Sequence, residues 1–220
     1  MPEKQKVLAA LRETGLIAVI RTENPGDLVG AAQALREGGV KLFEITMTVP
    51  GALKIIESAV AQLQSQEIYI GAGTVLDPET ARSVILAGGA FAVAPIFSQS
   101  MVSLCNRYGV TVMAGACTPQ EIFNAWEGGS DVVKVFPANL GGPAYIKSVK
   151  EPLPQIELLP TKGVSLQNIP EFIKAGVIGV GVGRELISND LIKSKDYRQI
   201  TANAARFIQV IQGAKAEMRG

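Results

Sequence analysis

Lys134 stands in the middle of the apolar run Val132-Val133-Lys134-Val135-Phe136. An ammonium group in such a run loses its hydration, so a lysine there needs a reason. The neutral amine escapes that cost, and it is the form that attacks a ketone to give an iminium. An iminium is an electron sink for cleaving the neighbouring carbon–carbon bond. The competing reading is a lysine that snorkels from a strand end or pairs with a single acid.

A carboxylate is spaced to serve such an amine. In Lys41-Leu42-Phe43-Glu44-Ile45-Thr46, strand alternation puts Leu42, Glu44 and Thr46 on one face. If that face also receives Lys134, Glu44 can shuttle protons through carbinolamine formation, dehydration and protonation of an enamine. Its plainer alternative is a structural ion pair with Lys134 or Arg21.

The elements that must position these two residues follow a rhythm. Short apolar runs rich in β-branched residues alternate with longer amphipathic stretches, the pattern of repeated βα units around a parallel sheet. Eight runs can be counted: 16–21, 41–46, 68–73, 91–95, 111–114, 132–136, 156–160 and 177–181. Eight closes a barrel, and 220 residues suffice for one with short loops. The expectation is an α/β fold, a single (β/α)8 TIM barrel spanning 1–220. Residues 2–14 should form an additional N-terminal helix across the bottom, and 194–216 a C-terminal helix. Helix starts are marked at Asn24-Pro25, Asp77-Pro78 and Thr118-Pro119-Gln120-Glu121, and stops at Gly38-Gly39, Gly88-Gly89 and Gly128-Gly129. An open doubly wound sheet is the rival, but residues 16–27 lack its G-x-G-x-x-G turn.

Barrel active sites lie at the C-terminal ends of the strands. That rule selects Arg21, Glu44 with Thr46, Gly73 with Thr74, Pro95, Gly115, Lys134 with Phe136, Thr161 with Lys162, and Gly183 with Arg184. Glu44 is the one obvious carboxylate among them and the chain has no histidine. A metal site would therefore be short of ligands, and a Ser-His-Asp or Cys-His arrangement is excluded. No metal and no cofactor are expected. Glycines after the seventh and eighth runs, in Pro160-Thr161-Lys162-Gly163-Val164-Ser165 and Gly179-Val180-Gly181-Val182-Gly183-Arg184, mark where barrels bind phosphate through backbone N–H groups. Lys162, Gly163, Gly183 and Arg184 are the candidate phosphate ligands. The alternative is that these glycines only permit tight turns.

The formal net charge of +1, without a basic run, leaves no electrostatic footprint for nucleic acid or an anionic membrane, so a small molecule is the expected partner. Aromatics are only 5% of a chain that is 47% apolar, which suits aliphatic parallel strands. Cys105 and Cys117 fit no zinc spacing and read as small buried hydrophobes. No segment reaches the roughly 20 apolar residues of a membrane span, and the charged start is unlike a secretory signal, so a cytoplasmic protein is expected.

In sequence order the chain resembles the 2-keto-3-deoxy-6-phosphogluconate (KDPG) and 4-hydroxy-2-oxoglutarate (KHG) aldolases, class I pyruvate aldolases. The motifs that carry the resemblance are Glu44-Ile45-Thr46, Gly71-Ala72-Gly73-Thr74-Val75-Leu76, Pro95, Val133-Lys134-Val135-Phe136-Pro137-Ala138 and Pro160-Thr161-Lys162-Gly163-Val164. The resemblance covers nearly the whole chain. It implies a homotrimeric barrel that splits KDPG into pyruvate and glyceraldehyde 3-phosphate, with Lys134 as Schiff-base lysine and Glu44 as general acid/base. It also implies that Thr74 helps hold the pyruvate carboxylate, that Pro95 and Phe136 shape the pocket, and that Thr161 meets the sugar hydroxyls. The same chemistry on 4-hydroxy-2-oxoglutarate or on the phosphogalactonate epimer, or a barrel that binds a phosphometabolite without turnover, are the alternatives.

Three departures from the family pattern touch specificity. Met47-Thr48-Val49-Pro50 lacks the arginine that many members use for the keto-acid carboxylate, so Arg21 or backbone donors would compensate. Lys162 replaces the first of two glycines, which costs on the order of 1 kcal/mol if its φ is positive. Arg184 replaces a common serine.

Overall fold

The computed structural model describes residues 3–21, 28–63 and 67–218. Its strands are β1 (Leu16–Ile20), β2 (Leu42–Thr46), β3 (Tyr69–Gly73), β4 (Phe91–Val93), β5 (Thr111–Ala116), β6 (Val132–Val135), β7 (Leu158–Pro160) and β8 (Val180–Val182). Each pairs in parallel with the next from β1 to β7, and β1 also pairs with β8. A parallel bridge between Thr161 and Gly181 links β7 to β8. The circuit is the expected (β/α)8 barrel.

Helix α1 (Glu3–Thr14) precedes the barrel. Between strands lie α2 (Leu28–Glu37), α3 (Ala52–Leu63), α4 (Pro78–Leu86), α5 (Gln99–Arg107), α6 (Pro119–Glu127), α7 (Gly142–Lys150) and α8 (Ile169–Lys174). Two more, α9 (Asn189–Lys193) and α10 (Tyr197–Glu217), follow β8.

Strand residues are buried on both faces, which is why the strands read as continuous apolar runs rather than alternating ones. Alternation sorts them all the same. Phe43 and Ile45 pack outward against the helices, whereas Leu42 faces inward with Ile17, Phe91, Val93, Met113 and Leu159. Val7, Ala10 and Leu11 of α1 join that inner cluster, so α1 plugs the N-terminal end of the barrel. The C-terminal end is left for chemistry.

Helix starts follow the expected chemistry. Asp77 caps α4, with Oδ1 accepting from the Thr80 N–H at 2.6 Å and Pro78 in the first turn. Thr118 and Glu121 form a reciprocal capping box on α6. The Asn24-Pro25 start lies outside the described residues.

Some boundaries differ from expectation. β7 begins at Leu158 rather than Ile156, because Ile156 closes a turn onto the Leu153 carbonyl and its own carbonyl accepts from Lys150 Nζ. β8 begins at Val180 rather than Val177. Ile178 still donates to Leu158 of β7, and the ladder with β1 starts only at Leu16 opposite Val180. The C-terminal helix starts at Tyr197, capped by Asp196, and the short α9 precedes it. One turn of helix is too brief to leave a periodic signal.

Candidate active site

Lys134 on β6 and Glu44 on β2 reach into the barrel interior from opposite walls, and Nζ lies 3.9 Å from Oε1. Both are almost completely buried, at 3% and 1% exposure. The separation is beyond hydrogen-bonding range. Glu44 Oε1 has no hydrogen-bond partner among the described residues, although a buried carboxylate oxygen ordinarily has one. The two groups therefore face a common space without being locked to each other. Gly73 makes that space: a Cβ at this position would run into the Glu44 carboxylate. The Phe136 ring centroid lies 5.4 Å from the amine.

Beyond Phe136 a cavity of about 400 Å³ opens at the ends of β1, β7 and β8. It gathers Arg21, Phe136, Thr161, Lys162, Gly163, Gly183 and Arg184 from the expected set, and adds Asn139, Gly181 and Glu185. Lys162 adopts φ 76° and Gly163 φ 80°, so the chain turns sharply where the lysine replaces a glycine. Gly163 packs onto Asn139, and its carbonyl accepts from the Asn168 side-chain amide at 2.8 Å, which pins the loop. The Arg21, Lys162 and Arg184 side chains form no ion pair with the described residues. Among the described residues, three cationic residues and one acidic residue, Glu185, thus line one concave surface.

Thr161 is held by its backbone, donating to Val135 and accepting from Ala138, while its buried Oγ1 has no hydrogen-bond partner among the described residues. It faces Gly181, where a side chain would collide with the hydroxyl. Like Gly73, Gly181 clears room inside the barrel for a neighbour's polar group. Neither role is visible before the strand register is known.

Other expected residues sit elsewhere on the rim. Pro95 lines a separate cavity of about 510 Å³ with Ile96, Phe97, Gly115 and Cys117, on the far side of Phe136. Thr74 follows β3 with φ 58°, an uncommon conformation for a β-branched residue, and lines neither cavity. Arg21 and Arg184 also border a third cavity of about 350 Å³ next to Ser188, Asn189 and Asp190. A larger cavity, about 660 Å³, lies at the opposite end beside Glu3, Tyr69 and Tyr108, away from the lysine–carboxylate pair. Volume is therefore a poorer guide here than chemistry.

The two cysteines differ. Burial pushes the Cys105 thiol up to about 11, as befits a packed hydrophobe. Cys117 departs from the reading of a buried filler: it is half-buried and lines the Pro95 cavity, because β5 ends just before it and the chain turns there into the α6 cap. Its N–H and that of Thr118 donate to Glu121, holding that carboxyl below its usual range.

A family model described as "Aldolase: KDPG and KHG aldolase" matches residues 7–203. The chain belongs to this aldolase family. A 2-dehydro-3-deoxy-phosphogluconate aldolase from Treponema pallidum is 32% identical, over 93% of this chain and 97% of that protein. A 2-dehydro-3-deoxy-6-phosphogalactonate aldolase from Escherichia coli K12 is 30% identical, over 90% of this chain and 96% of its own length. Among solved structures, the KDPG aldolase from Legionella pneumophila, with pyruvate captured at low pH as a covalent carbinolamine intermediate, superposes with a TM-score of 0.84. It shares 27% identity, covering 90% of this chain and 96% of that one.

Proposed function

We propose that this aldolase cleaves KDPG to pyruvate and glyceraldehyde 3-phosphate through a Schiff base on Lys134, with Glu44 as general acid and base. The single observation that carries this reading is the buried amine and carboxylate facing each other at 3.9 Å inside the barrel. Glu44 takes a proton from the Lys134 ammonium, the neutral Nζ adds to the keto carbon, and Glu44 returns that proton to the departing hydroxyl of the carbinolamine, so that water leaves and the iminium forms with Glu44 again ionised. The carboxylate then removes the proton of the C4 hydroxyl. The C3–C4 bond breaks, its electrons pass to the iminium nitrogen, and the aldehyde leaves. Glu44 returns the proton to C3 of the enamine, and water releases pyruvate. The iminium is itself the electron sink, so the reaction as written requires no metal.

The three cations around the distal cavity support a phosphorylated substrate, since a phosphate dianion is well matched by several convergent cationic donors. Thr161 would meet the C4 hydroxyl region, with Phe136 and Pro95 shaping the pocket and Thr74 near the carboxylate. A homotrimer, on family resemblance, and a cytoplasmic location, on the charged start of the chain, complete the proposal.

Two measurements test it. Borohydride reduction in the presence of pyruvate should add the mass of the reduced adduct to the peptide containing Lys134, and Lys134→Met should abolish both label and cleavage. An active enzyme without the label would defeat the mechanism. Relative kcat/KM should place KDPG above the phosphogalactonate epimer and above 4-hydroxy-2-oxoglutarate; a preference for the unphosphorylated compound would overturn the role given to the cations.

A further inference from the structure

The distal cavity has a polar residue with no part in the steps above. Asn139 lines it together with Phe136, Thr161, Lys162 and Gly163. It belongs to a single 3-10 turn, Ala138–Leu140, that follows Phe136 and Pro137 beyond the end of β6. Two contacts fix its place. The N–H of Ala138 donates to the Thr161 carbonyl at 3.0 Å. Asn139 itself rests on Gly163, where a side chain would run into the asparagine Cβ. Asn139 is therefore seated between the hydroxyl-bearing end of β7 and the turn that carries Lys162.

A second asparagine borders the same turn and makes a useful contrast. Asn168 uses its whole side chain on the loop: Oδ1 accepts from the Ser165 N–H at 2.8 Å, and Nδ2 donates to the Gly163 carbonyl at 2.8 Å. The Asn139 amide makes no hydrogen bond with the described residues, and the residue is exposed where it lines the cavity. The loop is thus held without it. An amide both donates and accepts, whereas Arg21, Lys162 and Arg184 only donate and an ionised Glu185 only accepts. A hydroxyl also does both. With Thr161 at the C4 hydroxyl and the cations at the phosphate on C6, the polar group left between them is the hydroxyl on C5.

We infer that Asn139 binds the C5 hydroxyl of the substrate and so selects for aldehyde fragments hydroxylated next to the carbonyl. The inference rests on the aldolase reading. It applies alike to KDPG and to its C4 epimer, since both carry that hydroxyl. 4-Hydroxy-2-oxoglutarate, whose C5 is a carboxylate, gains nothing from it.

The test measures kcat/KM for cleavage of the preferred phosphorylated substrate, KDPG or its C4 epimer, and of the 5-deoxy analogue of the same compound. Wild type, Asn139→Ala and the nearly isosteric Asn139→Leu are compared, with active sites counted by borohydride-dependent labelling with pyruvate. Losing one neutral hydrogen bond should lower kcat/KM for the hydroxylated substrate about five- to tenfold in both variants. The 5-deoxy analogue should be cleaved by the variants as by wild type. An equal fall with both compounds would assign Asn139 to the phosphate or to the shape of the loop, and an unchanged value with the hydroxylated substrate would leave it a solvated surface residue. Either result overturns the inference, as does a wild type that cleaves the 5-deoxy analogue as well as its parent. A wild type that neither takes the pyruvate label nor cleaves the parent compounds would defeat the aldolase reading itself, which keeps the two failures distinguishable.

Discussion

Lys162 joins two opposed effects in one residue. Its φ of 76° is left-handed, which costs an L-residue with a side chain about 1 kcal/mol. The residue meanwhile lines the distal cavity with Arg21 and Arg184. Lys162→Gly should therefore stabilise the fold by about 1 kcal/mol in denaturant unfolding and at the same time raise KM for the phosphorylated substrate. The KM effect should shrink as salt rises, because exposed charges are screened. A variant that loses stability, or whose KM is unchanged at low salt, would remove the lysine from this role. The strain was legible in the sequence as a lysine where family members carry glycine. Lys134 was legible for a stronger reason, since a charge in an apolar run conflicts with its own solvation.

The order and type of the elements were readable because parallel strands buried on both faces leave unbroken apolar runs. Their ends were less so, because backbone hydrogen bonds set them: the Lys150 side chain captures the carbonyl before β7, and a ladder with β1 delays β8. The spaces at Gly73 and Gly181 needed register, which no single segment contains. Helix caps are the local exception. Asp77 accepts from the backbone N–H and the hydroxyl of Thr80, and these bonds hold its carboxyl below the usual range. A lowered folded value means that the ionised cap adds stability above the unfolded pKa, about 3.9, and that this is lost as pH falls through the folded value. Asp77→Ala should thus cost about 1 kcal/mol at neutral pH. The gap to wild type in unfolding experiments should narrow as the solution is acidified through that region. A gap that widens on acidification would contradict the assignment.

At the scale of the molecule, the barrel separates what holds it together from what it does. The interior is filled at the N-terminal end by aliphatic and aromatic side chains and by α1, which brings in Val7, Ala10 and Leu11. Toward the other end glycines and polar side chains take over, with Glu44, Lys134 and Thr161 buried among them. Buried polar groups that are not fully satisfied weaken a fold, so the packed end must supply the stability that the reactive end does not. Leu11 has no exposed surface and sits in that plug. Leu11→Ala should destabilise by about 2–5 kcal/mol through lost burial and the cavity left behind. Because the inner cluster lies between this helix and the lysine, kcat per folded molecule, with the active fraction counted by borohydride label, should stay at the wild-type value. A fall in kcat per labelled site would show that the plug also sets the distance between amine and carboxylate, and that the two ends of the barrel are coupled rather than independent.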